Sequence, residues 1–205
     1  MLCYTFSVMT NTNVNRSMAI TAALGALTIL LAITHLGYIP WFSGASITIL
    51  HVPVILACIL LGFSSGLTTG LIFGLTSLIM AATMPTGPID PFFVNPLISV
   101  LPRLLFAVST WAIYTGFVSI SAKVKYFPEI LATGIAAFLG TLLHSVFVLG
   151  ALVIAHAIEW KLFFTVLIGN SLLEATAATV ITIAVVGIKK VSNDNKKSKL
   201  SEEDD

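Results

Sequence analysis

The stretch PEILATGIAAFLGTLLHSVFVLGALVIAH, residues 128–156, has one acidic residue near its start, Glu129, and no lysine, arginine or further carboxylate before its end. A helix needs about 20 mainly apolar residues to cross the ~30 Å hydrocarbon core of a bilayer. This segment exceeds that length and reads as a transmembrane helix. The rest of the chain has a matching composition. Of its 205 residues 57% are hydrophobic and 9% are charged, where soluble domains carry about 25% charged residues. Mean hydropathy is +1.02. Most of the surface must therefore face lipid, and the fold class is an all-α integral membrane bundle.

Five more segments have the same character: 17–37, 46–62, 65–84, 96–120 and 161–189. Together they predict one six-helix domain over 17–189. A short N-terminal segment (1–16) precedes it, and a charged tail (190–205) of disordered composition follows. The second span is short and contains Pro53, which predicts a kinked or partly re-entrant helix. Residues 1–16 lack a basic n-region and a clean cleavage site, so the first span is expected to serve as an uncleaved insertion signal. Arg16, Lys123, Lys125 and the tail lysines fall on one side of a six-span topology. The 38–45 and 85–95 loops on the other side hold neither lysine nor arginine, and Lys161 is the exception. The positive-inside rule then puts both termini in the cytoplasm.

The net charge is +1, and nearly all charge sits in the N-terminal stretch, one central turn and the C-terminal tail. It sets topology and gives no sign of a nucleic-acid partner. Cys3 and Cys58 form neither a disulfide framework nor a metal spacing. No G-x-x-x-x-G-K-[ST], H-E-x-x-H or C-x-x-C occurs, so the sequence predicts no cofactor, no metal and no enzymatic constellation in this chain. Any ATP use is assigned to partner chains.

The polar residues inside the spans carry what chemistry there is. Arg103 lies in NPLISVLPRLLF, residues 95–106. A central arginine costs about 2.5–3.5 kcal/mol on insertion scales, so it faces a cavity or a partner. Counted from the outer helix ends, Arg103, His144, Asn170 and Glu174 share similar depths. Asn170 and Glu174 are i, i+4 neighbours on one helix face. Two readings of Arg103 are compatible: an ion pair with Glu174, and a bidentate clamp for a ligand carboxylate or phosphate. His144 reads as a packing residue or a ligand contact. His51 reads as a residue of the outer mouth. Trp41 and Phe42 in the first outer loop read as an aromatic belt or an apolar cover over a small molecule. Asp90, flanked by Pro88 and Pro91, reads as a turn residue. Gly62, Gly66, Gly70 and Gly74 recur every four residues and predict close helix packing. Ala19, Ala22, Ala23 and Ala26 form a smooth ridge for internal packing or for docking another membrane subunit.

Three features resemble one family: the A-x-x-x-A pairs of the first helix, the run HVPVILACILLGFSSGLTTGLIFGLTSLI (51–79), and PTGPIDPFFVNPLISVLPRLLFA (85–107) with its Asn95-Pro96 and Pro102-Arg103 pairs. In combination they are similar to the S component, the substrate-binding membrane subunit, of energy-coupling factor vitamin transporters. The resemblance covers 17–189. It implies a vitamin-binding subunit in a prokaryotic cell membrane that is not itself an ATPase. It works with a transmembrane coupling subunit and two ATPases, docking through Ala19, Ala22, Ala23 and Ala26. Substrate would lie near the outer side under the 38–46 loop, with transport by toppling of the subunit in the membrane. The 85–107 stretch is most similar to pantothenate-type members. Pantothenate offers a carboxylate to Arg103, and hydroxyl and amide groups to Asn95, His144, Asn170 or Glu174. Pyridoxine, hydroxymethylpyrimidine and riboflavin are the alternatives. A stand-alone ion-coupled transporter using Glu174 is the reading from a different class.

Overall fold

The computed structural model describes residues 11–40, 46–121 and 128–203, with side chains for 14–37, 48–121 and 128–192. Helix α1 (Asn11–Ile33) is followed by a two-stranded antiparallel ribbon, β1 (Tyr38–Pro40) and β2 (Ser46–Thr48), with Tyr38 opposite Thr48. Then come α2 (Val52–Leu61), α3 (Phe63–Thr83), a 3-10 turn at Asp90–Val94, α4 (Pro96–Ser99), α5 (Leu101–Ser121), α6 (Glu129–Ile154), α7 (Trp160–Gly169) and α8 (Ser171–Glu203). Among the described residues five helical stretches are long and apolar enough to cross a membrane: Val14–Ile33, Phe63–Thr83, Pro96–Ser121, Glu129–Ile154 and Trp160–Ser192. The protein is a multi-pass membrane bundle.

The sixth element of the bundle is α2, and it departs from expectation. The predicted span 46–62 is a strand followed by a helix of ten residues. Ten residues rise only about 15 Å, half the hydrocarbon thickness. Val52 to Ile59 are all buried, and α2 touches α1, α3, α5, α6 and α8. Its burial and these contacts put α2 at the centre of the bundle with the long helices around it. Pro53 falls in its first turn, where a missing N–H breaks no hydrogen bond. The continuous apolar run 52–61 has no periodicity from which its length as helix could be read.

Gly62 makes the tight turn from α2 to α3 at φ +93°, a conformation that a side chain disfavours. Further along the glycine row, a Cβ at Gly74 would lie 2.8 Å from Val100 Cα, and one at Gly70 would lie 3.1 Å from the Arg103 carbonyl oxygen. The backbone of α3 therefore rests directly on the α4–α5 junction. Overpacking a close contact of this kind costs about 1–3 kcal/mol. Gly74→Val is expected to lower the thermal unfolding midpoint of the purified chain by several degrees, read by static light scattering or intrinsic fluorescence in detergent.

On α1 the buried positions are Thr21, Gly25, Thr28 and Ala32, spaced three or four apart as one helix face requires. Thr21 Oγ1 donates to Ser65 Oγ at 2.9 Å and ties α1 to α3. Ala19, Ala22, Ala23 and Ala26 lie on the other side and are exposed. Buried threonines on α1, α3 and α6 donate to the carbonyl four residues back, as at Thr28, Thr69 and Thr141. They need no partner on another helix.

Two boundaries also differ from the sequence reading. The tail from 190, expected to be disordered, continues α8 as helical backbone to Glu203. It contains neither glycine nor proline to stop it. The last span is jointed at Asn170, although the backbone bonds Asn170 N–H to Val166 O and Glu174 N–H to Asn170 O run on across the joint.

Candidate binding site

Because α2 fills only part of the bundle's depth, the space beyond its N-terminus is free. A cavity of about 430 Å³ opens there, within the ~300–1,000 Å³ range of small-molecule sites. Thr48 and Leu50, which lead into α2, form part of its wall. Arg103, His144, Asn170 and Glu174 all line it, brought together from α5, α6, the α7–α8 joint and α8.

Arg103 owes part of its geometry to its neighbour. Pro102 has no N–H and leaves the carbonyl of Ile98, four residues back, without its helical donor. Arg103 Nη1 donates to that Ile98 oxygen at 2.9 Å. Nη2 donates to Ser77 Oγ on α3 at 3.3 Å. The guanidinium carbon lies 5.3 Å from the Phe73 ring centroid and 5.1 Å from that of Phe93, inside the range of cation–π attraction. Arg103 is 6% exposed. It is held in a fixed pose at the cavity wall, with planar N–H donors suited to an anion.

Glu174 does not take the partner expected for it. Its hydrogen bonds go to Thr48 and Asn170 rather than to the guanidinium. Oε1 accepts from Thr48 N–H at 2.6 Å, Thr48 Oγ1 at 3.0 Å and Asn170 Nδ2 at 3.2 Å. The i, i+4 pair on α8 thus forms as its spacing implies, and it fastens β2 to the bundle. A cation from α5 and a carboxylate from α8 both line the cavity.

His144 packs among Phe106, Phe73 and His51, with ring centroids at 4.9, 5.6 and 5.5 Å. His51, expected at the outer mouth, is instead fully buried as the residue that begins α2, stacked behind His144. Among the described residues neither of its ring nitrogens has a hydrogen-bond partner. The truncation of α2 carries its N-terminus inward, and His51 with it.

Asn95 does not belong to this constellation. It is exposed, and its Oδ1 accepts from Leu97 N–H at 3.0 Å as the N-cap of α4. Asn before proline at a helix start supplies the acceptor the first turn needs. Trp41 and Phe42 lie outside the described residues. Asp90 makes the expected turn: its Oδ2 accepts from Thr86 N–H, Thr86 Oγ1 and Gly87 N–H at 2.6, 3.0 and 2.8 Å. Sequence reasoning did not reach Ser77, Phe73, Phe93 or Thr48. Phe73 and Ser77 are one helical turn apart on α3, a spacing that marks them as sharing a face. Thr48 carries no signal, since strand and helix readings of 46–50 place it differently. Among the described residues no group of three histidine, cysteine or carboxylate side chains is arranged to hold a metal ion.

Comparison with known proteins bears on the same span. Residues 16–186 match the family model described as ECF transporter, substrate-specific component. The chain is 30% identical over 157 residues to the pantothenic acid transporter PanT of Lactococcus lactis subsp. cremoris (strain MG1363), covering 68% of this chain and 75% of that relative.

Proposed function

The chain belongs to the family of substrate-specific components of ECF transporters, and we propose that within it this protein binds pantothenate in the cavity bounded by Arg103 and Glu174. One observation carries the reading. A permanent cation, almost fully buried and held by backbone, hydroxyl and aromatic contacts, stands at the wall of a cavity sized for a small molecule. A buried arginine facing a cavity in a membrane bundle marks a substrate pathway by default, its planar donors suit an anion, and the pantothenate carboxylate supplies one. The similarity to a relative named as a pantothenic acid transporter adds independent support. Arg103 then takes the carboxylate, while Asn170, Glu174 and His144 meet the polar groups toward the other end.

In this reading the cavity opens to the outside and both termini are cytoplasmic. The chain supplies recognition only. Two partner ATPases hydrolyse ATP and act through a transmembrane coupling subunit, and the exposed alanine face of α1 is where the coupling subunit docks.

The test is a calorimetric titration of the purified chain. Pantothenate is expected to bind tightly. Pantothenol, in which a hydroxymethyl group replaces the carboxylate, is expected to bind at least ~30-fold more weakly, for loss of a charge-assisted contact worth about 2 kcal/mol or more. Equal affinity for the two, or tighter binding of riboflavin or pyridoxine, overturns the assignment.

A further inference from the structure

The two oxygens of Glu174 are in different states. Oε1 accepts all three hydrogen bonds that reach the carboxylate, two from Thr48 and one from Asn170. These saturate it and tie strand β2 to α8. Oε2 receives none among the described residues, yet it is absent from the polar atoms sealed in the core without a partner. Since Glu174 is only 6% exposed and lines the cavity, Oε2 is open to that cavity. A carboxylate offers about four acceptor positions, and those on Oε2 are unused. A donor brought by a ligand into the cavity would meet them.

We propose that Glu174 is a specificity-determining residue that divides its work between its oxygens. Oε1 holds β2 in place, and Oε2 accepts from a hydroxyl group at the end of the ligand remote from Arg103. The proposal rests on the pantothenate reading and fixes the direction in which that ligand lies. The carboxylate end goes to the α3–α5 side, where Phe73, Ser77 and Arg103 meet. The diol end goes to α8. A second anionic group at that end is rejected by the carboxylate, so the site selects a ligand that is anionic at one end and a hydrogen-bond donor at the other.

The test pairs two ligands with three variants of the full chain. The ligands are pantothenate and its dideoxy analogue, which keeps the carbon skeleton and the carboxylate. The unsubstituted chain is expected to prefer pantothenate by at least ~100-fold, because a site built around a hydroxyl leaves its acceptor unpaired when the hydroxyl is missing. Glu174→Gln and Glu174→Leu are expected to narrow that preference by at least ~10-fold, through the loss of a hydrogen bond to a charged acceptor. Thr48→Val removes one bond on Oε1 only. It is expected to speed dissociation of both ligands by a similar factor and to leave the preference intact. A uniform loss of affinity for both ligands in the Glu174 variants, with the preference unchanged, overturns the proposal and leaves Glu174 as a fastener of β2. Thermal unfolding without ligand confirms that each variant folds, and Glu174→Gln, the nearer isostere, carries the test if the leucine variant does not. Absence of pantothenate binding by the unsubstituted chain overturns the underlying reading and this proposal with it. Binding with the wrong pattern of preference overturns this proposal alone.

Discussion

In an Arg103→Ala chain, pantothenate affinity is expected to fall at least ~100-fold, about 3 kcal/mol, the scale on which truncating one partner of a buried, hydrogen-bonded charge pair acts. The variant also loses a structural contact. Without Nη1, the Ile98 carbonyl orphaned by Pro102 has no donor, a cost of about 1–3 kcal/mol for a buried acceptor. The two effects separate because their causes lie on different atoms. Substituting Pro102→Ala beside Arg103→Ala restores a backbone N–H four residues after Ile98, where an α-helix needs it. The double variant is expected to recover thermal stability in detergent while binding remains lost. Recovery of both would make Arg103 a helix-repair residue only. Retained affinity in the single variant would remove the anion clamp altogether. Arg103→Lys is expected to lie between wild type and alanine in affinity, since an ammonium supplies charge without the planar pair of donors.

The second large effect concerns partners and leaves binding untouched. Ala22 and Ala23 are exposed on α1, opposite the buried row Thr21, Gly25, Thr28 and Ala32. Small residues let helix backbones approach closely, and a bulky side chain at such a contact costs about 1–3 kcal/mol. An Ala22→Trp, Ala23→Leu chain is therefore expected to bind pantothenate as wild type does in isolation. In cells containing the coupling subunit and ATPases, its uptake of radiolabelled pantothenate should drop by at least ~10-fold, and it should fail to co-purify with the coupling subunit. Normal uptake would place the docking face elsewhere on the bundle. Loss of binding in the isolated chain would mean that this face supports the fold.

The spans are legible from the sequence wherever apolar length exceeds the bilayer. The stretches 65–84 and 128–156 correspond closely to α3 (Phe63–Thr83) and α6 (Glu129–Ile154). The glycine row reads correctly as packing at Gly66, Gly70 and Gly74, whereas Gly62 serves the turn between α2 and α3. Counting helical depth puts Arg103, His144, Asn170 and Glu174 at a similar level, and the structure brings all four to one cavity. Their contacts do not follow. Depth says nothing about azimuth, so it left Arg103 and Glu174 as candidate partners, whereas Thr48 and Asn170 occupy the carboxylate. A proline inside a helix orphans a carbonyl four residues back, and the adjacent long cation is within reach of it. Asn95-Pro96 likewise spells a helix start. The least legible region was 46–62, where a strand, a turn and a short helix share one apolar composition.

That short helix also bears on how the chain is made. A segment of ten residues is about half of what a translocon releases into lipid as an independent span, and α2 is stable only with other helices around it. It cannot leave the insertion machinery by itself. With Gly62 as the hinge, α2 and α3 are expected to enter the bilayer as one hairpin once α3 has been synthesised. Until then, the residues that will border the binding cavity, Thr48 and Leu50 among them, have no bundle to line. Because Asn170 and Glu174 come from the last span, the cavity is completed only after that span is made, and a chain truncated after Leu61 is expected to be held at the membrane by α1 alone.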